Sequence, residues 1–367
     1  MDFFQYYMPT KIFFGQHCLL QNQDAFKKYG SRAFIVTGRW SSKKNGSLED
    51  VIQVLQKQEI SYQIFDEVEE NPSIETLEKA AKQGKAYGAQ FIIGIGGGSP
   101  IDAAKGIGVL LANPNKTAYD LLEEGDLSSV PIMAIPTTSG TGTETTPYAI
   151  FTDHQLQTKR NFQPKIFPEM AFLDVRYFST MPDFVAIHTG VDALSHLVEG
   201  YLTVKANPFS DGLAEYGISL WQDCILSLKT NQWSVKQREK MILASTIGGM
   251  VIAQTGTSLP HGMGYAFTYF KDIPHGKANG LLMSPYLAIH PHQEKIQRIL
   301  ELLQMDTLQE LDTFLKNILG GEICLTPEEM ESYTQGMIEN EAKLKNHPGK
   351  VTKEQIYQIY QASCKSL

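Results

Sequence analysis

The sequence predicts an α/β N-terminal domain built on a parallel sheet, followed by an all-α C-terminal domain. Three observations carry this. Residues 1 to about 178 alternate strand-like and helix-like runs, as a parallel sheet with helices on both faces requires. After Pro182 the strand signals stop and helical spacing takes over. At 367 residues the chain exceeds the usual size of a single core, so two domains are the default. The boundary is expected at 177–182, giving domains of residues 1–178 and 179–367.

The elements follow in order. Segments 33–37, 62–65, 91–95 and 132–135 read as strands, and 91–95 is short and apolar as a strand buried on both faces is. Segments 47–57 and 73–87 have helical spacing, and each opens on a serine read as an N-cap. Asn71-Pro72 marks a turn before the second of these. Beyond Pro182, helices are expected over 183–204, 207–229, 234–254, 293–304, 306–318, 327–342 and 353–364. Thr326-Pro327-Glu328-Glu329 and Thr352-Lys353-Glu354-Gln355 are capped helix starts. There is no internal repeat and no low-complexity tract.

Composition excludes several function classes. The net charge is −8 and no Lys/Arg-rich run occurs, which argues against nucleic acid or an anionic membrane as partner. The apolar stretches are far shorter than the ~20 residues that span a bilayer. Residues 1–7 show no basic leader and no signal-like core. Cys18, Cys224, Cys324 and Cys364 are scattered without a Cys-x-x-Cys, which favours a reducing cytoplasm and disfavours a cysteine-based metal site. A cytoplasmic location is therefore expected.

The chemistry is concentrated in three stretches. In Thr189–Gly200, Asp192 and His196 are four residues apart, so on a helix they project from one face. Val191, Leu194, Val198 and Tyr201 repeat beside them and would bury that face. A carboxylate and an imidazole on an apolar face need a partner, and a divalent metal is one. His261 and His275 follow in short Gly-rich contexts. One Asp and three His make a plausible ligand set for Fe(II) or Zn(II). An isolated Asp-x-x-x-His is more often a simple hydrogen-bonded pair, so independent signals matter.

The second stretch is Phe91-Ile92-Ile93-Gly94-Ile95-Gly96-Gly97-Gly98-Ser99-Pro100-Ile101-Asp102-Ala103-Ala104-Lys105. A buried strand runs into a glycine turn and then a helix, with Ser99 read as N-cap, Pro100 as first helical residue and Asp102 completing a capping box. Strand, glycine turn and helix N-terminus form an anion site, because the exposed amides and the helix dipole favour phosphate. In the third stretch, 132–146, a strand enters the loop Pro136-Thr137-Thr138-Ser139-Gly140-Thr141-Gly142. Its hydroxyls can bond ribose or phosphate oxygens. Five other histidines, His17, His154, His290, His292 and His347, sit in turn-like or polar settings and are read as surface residues, while His188 lies one turn before Asp192.

Taken together, the chain resembles the iron-containing (group III) alcohol dehydrogenase family. The resemblance rests on 96–105, on Pro-Thr-Thr-Ser-Gly-Thr-Gly-Thr-Glu at 136–144, and on Asp174 and Pro182 leading into Gly190-Val191-Asp192-Ala193-Leu194 and Glu199. His261 and His275 stand at the family's spacing, and Thr10–Gly15 is similar to its opening strand. The resemblance implies that Asp192, His196, His261 and His275 bind the metal. It also implies that Gly97, Gly98, Ser99, Asp102, Thr137, Thr138 and Thr141 belong to the site for a nicotinamide dinucleotide. Many members carry a histidine, proposed as a proton relay, four residues after the third ligand. This chain has Tyr265, whose unperturbed pKa is ~10.

The expected reaction is hydride transfer between the nicotinamide and a small primary alcohol or aldehyde. Cofactor choice is read at the end of the first long strand, where an acid would select NAD. Here Gly38 is followed by Arg39, Ser41, Ser42 and Lys43, all capable of receiving a 2′-phosphate. NADP(H) is favoured over NAD(H), and a homodimer is expected. Two other readings compete: a dehydroquinate-synthase-like lyase using NAD transiently, and a non-catalytic metal or nucleotide sensor.

Overall fold

Among the described residues, six strands, all paired in parallel, make one sheet. In chain order they are β1 (Lys11–Phe14), β2 (Arg32–Thr37), β3 (Ser61–Phe65), β4 (Phe91–Gly96), β5 (Ile132–Pro136) and β8 (Met170–Leu173), with β6 (Ile150–Asp153) and β7 (Thr158–Asn161) forming a separate antiparallel pair. The sheet order is β1-β8-β5-β4-β2-β3. The computed structural model describes residues 3–321 and 323–366. It divides into a unit spanning Met8–Pro182 and a unit running from Asp183 onward, which also takes in the described residues before Met8.

The first unit contains α1 (Cys18–Gln21), α2 (Ser41–Lys44), α3 (Ser47–Lys57), α4 (Ile74–Tyr87) and α5 (Gly98–Ala112). Every residue of β4 and β5 is buried, which is why these strands read as unbroken apolar runs. Phe34, Val36, Leu77, Ile92, Ile107 and Phe151 belong to the core that packs on the sheet. The chain proceeds outward from β2 to β3, returns to place β4 on the other side of β2, and then runs outward through β5. The carboxyl ends of β2 and β4 therefore flank a switch point, the place where open α/β sheets bind ligands.

Two caps differ from expectation. Ser73 does cap α4, accepting a hydrogen bond from the Thr76 amide. Ser47, however, is already helical, and its hydroxyl donates to Asn45 Oδ1. Likewise α5 starts at Gly98 with Gly97 as N-cap, so neither Ser99 nor Asp102 forms a capping box. Both side chains are taken by tertiary partners. Ser99 Oγ accepts from the Asn71 amide at 3.0 Å. Asp102 accepts from Thr143 Oγ1 at 2.5 Å and from the Ile150 amide at 3.0 Å.

The second unit holds α6 (Asp183–Leu202), α7 (Pro208–Gln222), α8 (Ile225–Thr230), α9 (Val235–Thr255), α10 (Leu259–Lys271), α11 (His275–Ile289), α12 (Gln293–Leu303), α13 (Leu308–Leu319), α14 (Pro327–Ile338), α15 (Glu341–Asn346) and α16 (Lys353–Ser363). It also has one short parallel pair, β9 (Ile323–Leu325) with β10 (Cys364–Ser366). The expected helix over 207–229 breaks between α7 and α8, and that over 327–342 breaks between α14 and α15. Helices α10 and α11 carry the short Gly-rich contexts around His261 and His275. Their glycines serve close helix packing: a Cβ on Gly264 would fall 2.5 Å from Asn279 Oδ1, and one on Gly280 would fall 2.5 Å from Val191 Cγ1.

His290 and His347 are buried, contrary to the surface reading. Their rings meet edge to face at 4.9 Å, and His290 also packs on Tyr286 at 5.3 Å. Burial pushes His290 down to about 3 and His347 down to about 4, so both stay neutral near neutral pH. Among the described residues, no single helix is long and apolar enough to cross a membrane.

Candidate metal centre and dinucleotide turn

Helix α6 carries Asp192, His196 and Glu199 at i, i+4 and i+7, all buried on one face. His261 stands in the first turn of α10, and His275 opens α11. Asp192 Oδ1 lies 3.6 Å from His261 Nε2 and 3.8 Å from His275 Nε2. One ligand atom from each of these three residues lies within 4.8 Å of the others. His196 Nε2 is 2.9 Å from His261 Nε2. The four residues singled out in the sequence thus converge.

Glu199 explains how His261 is held. Its Oε1 is 2.5 Å from His261 Nδ1, and its Oε2 accepts from the Ser258 amide at 2.7 Å. A carboxylate at Nδ1 keeps a ring proton there, so Nε2, facing Asp192 and His196, is the nitrogen that can give up its proton and offer a lone pair to a cation. Lone pairs and a carboxylate aimed at one point repel one another unless a proton or a metal ion sits among them. The donor set therefore fits a divalent metal, with Glu199 as the partner that sets the tautomer. The i+7 spacing from Asp192 was the available sequence signal for this role. Asn279, one turn beyond His275, gave no such signal, yet its amide donates to Asp192 Oδ1 at 3.1 Å.

Burial works against charge on Asp192, but His196, His275 and His261 outweigh it and hold its carboxyl far below the usual range. Burial also works to lower His261, but Glu199 and Asp192 prevail and raise it to about 9. The Tyr265 ring stacks on His275, with centroids 5.9 Å apart and planes at 24°.

In the first unit, Gly96 has φ +148, a conformation that favours glycine. A Cβ on Gly97 would meet Thr138 Oγ1 at 3.0 Å, and one on Gly98 would meet Thr141 Cγ2 at 2.8 Å. The hydroxyl loop thus packs directly on the glycine turn, and the Thr137 amide donates to the Gly96 carbonyl at 2.8 Å. Lys105, fully buried, fastens the loop from below by donating to the carbonyls of Thr143 (2.8 Å), Thr146 (3.0 Å) and Tyr148 (2.6 Å). Burial pushes Lys105 down to about 8, with Asp102 and Glu144 opposing.

At the end of β2, Arg39 and Ser41 are exposed. Ser42 is not an open donor: it is buried and accepts from Thr37 Oγ1 at 2.8 Å. Lys43 pairs with Asp66 Oδ2 at 2.6 Å. Of the four donors expected there, two are therefore already engaged.

Residues 9–175 match the model of the iron-containing alcohol dehydrogenases, and residues 186–364 match the C-terminal model of the same family. The chain belongs to the iron-containing alcohol dehydrogenase family. Over 306 residues it is 30% identical to the NADPH-dependent butanol dehydrogenase of Clostridium saccharobutylicum, covering 82% of this chain and 77% of that protein. Over 277 residues it is 32% identical to the lactaldehyde reductase of Escherichia coli K12, covering 74% and 71%. The crystal structure of an iron-containing alcohol dehydrogenase from Thermotoga maritima superposes with a TM-score of 0.92 at 40% identity, covering 98% of this chain and 99% of that one.

Proposed function

We propose that this protein is an NAD(P)-linked alcohol dehydrogenase and aldehyde reductase acting on small primary alcohols and aldehydes, with Fe(II) or Zn(II) held by Asp192, His196, His261 and His275. Asp192, His261 and His275 lie close enough to share one ion, with His196 Nε2 2.9 Å from His261 Nε2, and this cluster carries the reading. A bound divalent ion supplies Lewis acidity toward the substrate oxygen, and the dinucleotide supplies the hydride acceptor or donor. Four protein donors suit Fe(II), which accepts further ligands, better than strictly four-coordinate Zn(II).

The side chains do the rest. Asp192 stays ionised and balances positive charge at the centre. Glu199 keeps the His261 proton on Nδ1, away from the reacting side. Tyr265, against His275, is the proton carrier in place of the histidine found in many members. The amides at 97–99 receive the pyrophosphate, and the Thr137, Thr138 and Thr141 segment shapes the wall of that turn. Asp102 and Ser99 act by fastening loops around it.

NADP(H) is the preferred cofactor in this reading, supported by Gly38 in place of an acid and by exposed Arg39 and Ser41. The Lys43–Asp66 pair leaves Arg39 to carry most of the preference. A cytoplasmic homodimer completes the proposal; β1 is an edge strand of the sheet, a surface open to a second copy. Sedimentation tests that state.

Metal removal by dialysis against a chelator, followed by an NADPH absorbance assay with an aldehyde panel, tests the function. Turnover should vanish and return with Fe(II) or Zn(II). Full activity in the stripped protein, or in His261→Ala, overturns the metal reading. Absence of net NADPH or NADH consumption with every aldehyde would return the lyase and sensor readings.

A further inference from the structure

Asn279 lies on α11, one turn after His275, and is fully buried. Its Nδ2 is 3.1 Å from Asp192 Oδ1 and 3.1 Å from His275 Nε2. A primary amide in a packed core is costly unless its polar atoms are bonded, so an asparagine here needs a use. Its orientation follows from chemistry: a carbonyl facing Asp192 would set acceptor against acceptor, so the NH2 end faces the carboxylate.

The oxygen it bonds is informative. Asp192 Oδ1 is also the atom that faces His261 Nε2 at 3.6 Å and His275 Nε2 at 3.8 Å. A carboxylate oxygen has two lone pairs, so it can accept one hydrogen bond and still face a cation. The amide therefore fixes the rotation of the carboxylate, and its contact with His275 Nε2 is the one that a bound ion would replace. Gly264 on α10 makes room for it, since a Cβ there would fall 2.5 Å from Asn279 Oδ1. Three helices thus contribute to one arrangement: α6 the carboxylate, α11 the amide, α10 the space.

We propose that Asn279 is a positioning residue for the metal centre, acting through the Asp192 carboxylate to tighten the hold on the divalent ion. This rests on the metal reading above. Leucine has nearly the same shape as asparagine but no donors, so Asn279→Leu separates packing from hydrogen bonding. Asn279→Ser removes atoms instead of replacing them, and its hydroxyl stops short of Asp192; it serves if the leucine variant does not fold.

The experiment compares Zn(II) affinity by competition with a chromophoric chelator, the visible spectrum of Co(II)-substituted protein, and the unfolding temperature of stripped protein. Loss of a partner to a ligand costs roughly ten- to a hundredfold in metal affinity. That loss, with shifted Co(II) bands and retained folding, is the expected result in either variant. Unchanged affinity and an unchanged Co(II) spectrum in a folded variant overturn the proposal, as does a lowered unfolding temperature with metal binding intact. Failure of the wild-type protein to bind Zn(II) or Co(II) is a different outcome, and it overturns the metal reading itself.

Discussion

Replacing Gly276 by alanine adds one methyl group at the first turn of α11, and the structure shows where it must go. The new Cβ would lie 1.8 Å from the carbonyl oxygen of His188 and 2.7 Å from its carbonyl carbon. Both are backbone atoms of α6, so no rotamer change relieves the clash. Non-bonded heavy atoms settle at separations of ~3.5 Å, so the start of α11 must withdraw by roughly 1–2 Å. His275 is the adjacent residue and moves with it, away from an Asp192 Oδ1 that its Nε2 now approaches to 3.8 Å. A misplacement of about 1 Å at a reacting centre costs about a hundredfold in rate. A methyl forced into a packed core costs about 1–3 kcal/mol. Gly276→Ala should therefore lower kcat about a hundredfold, release metal more readily to a chelator, and reduce unfolding free energy in denaturant titration. Wild-type turnover, metal content and stability in this variant would refute the packing of α11 on α6 as the device that places His275.

Five further outcomes are expected. Glu199→Gln removes the charge at His261 Nδ1, and metal affinity by chelator competition should fall roughly ten- to a hundredfold; no change would mean that the ring is held by other contacts. His261 is raised to about 9, so binding a metal at Nε2 near neutral pH displaces its proton; affinity should rise with pH, about tenfold per unit at most, and level off above about 9. In stripped protein the same group contributes stability that is present below its unfolded value of 6.5 and lost as pH rises through about 9, so an opposite trend in unfolding measurements would contradict the assignment. Gly98→Val drives a side chain into Thr141, which a Cβ alone would already meet at 2.8 Å, and the cofactor dissociation constant should rise strongly; unchanged titration of a folded variant speaks against phosphate at this turn. Gly38→Asp should shift relative specificity from NADPH toward NADH by more than tenfold, since a charge-assisted bond to phosphate is worth about 1.5–3 kcal/mol; a wild-type enzyme that already prefers NADH refutes that assignment.

Much of the site was legible along the chain because its signals are local. Apolar runs located β2 through β5, a glycine turn marked the end of β4, and i, i+4 spacing put Asp192 and His196 on one face. These patterns reflect backbone geometry over a few residues, which the sequence states directly. Local rules failed where a distant partner outbid a near one. Ser99 and Asp102 look like a capping box, but Asn71, Thr143 and Ile150 claim them. Ser42 and Lys43 look like phosphate donors, but Thr37 and Asp66 engage them. Glycines 264 and 276 stand out along the chain only as Gly-rich contexts for His261 and His275, yet with Gly280 they are where helices press together. His290 and His347 look exposed beside polar neighbours in sequence, yet in space they face Tyr286 and each other. Asn279 is 87 residues from Asp192, and nothing near it in the chain marks it. The sequence alone determined which chemical groups the protein carries and which elements bear them. Only the tertiary structure decided which group meets which, because side-chain contact depends on how whole helices approach, and that is governed by close packing across the fold rather than by spacing along the chain.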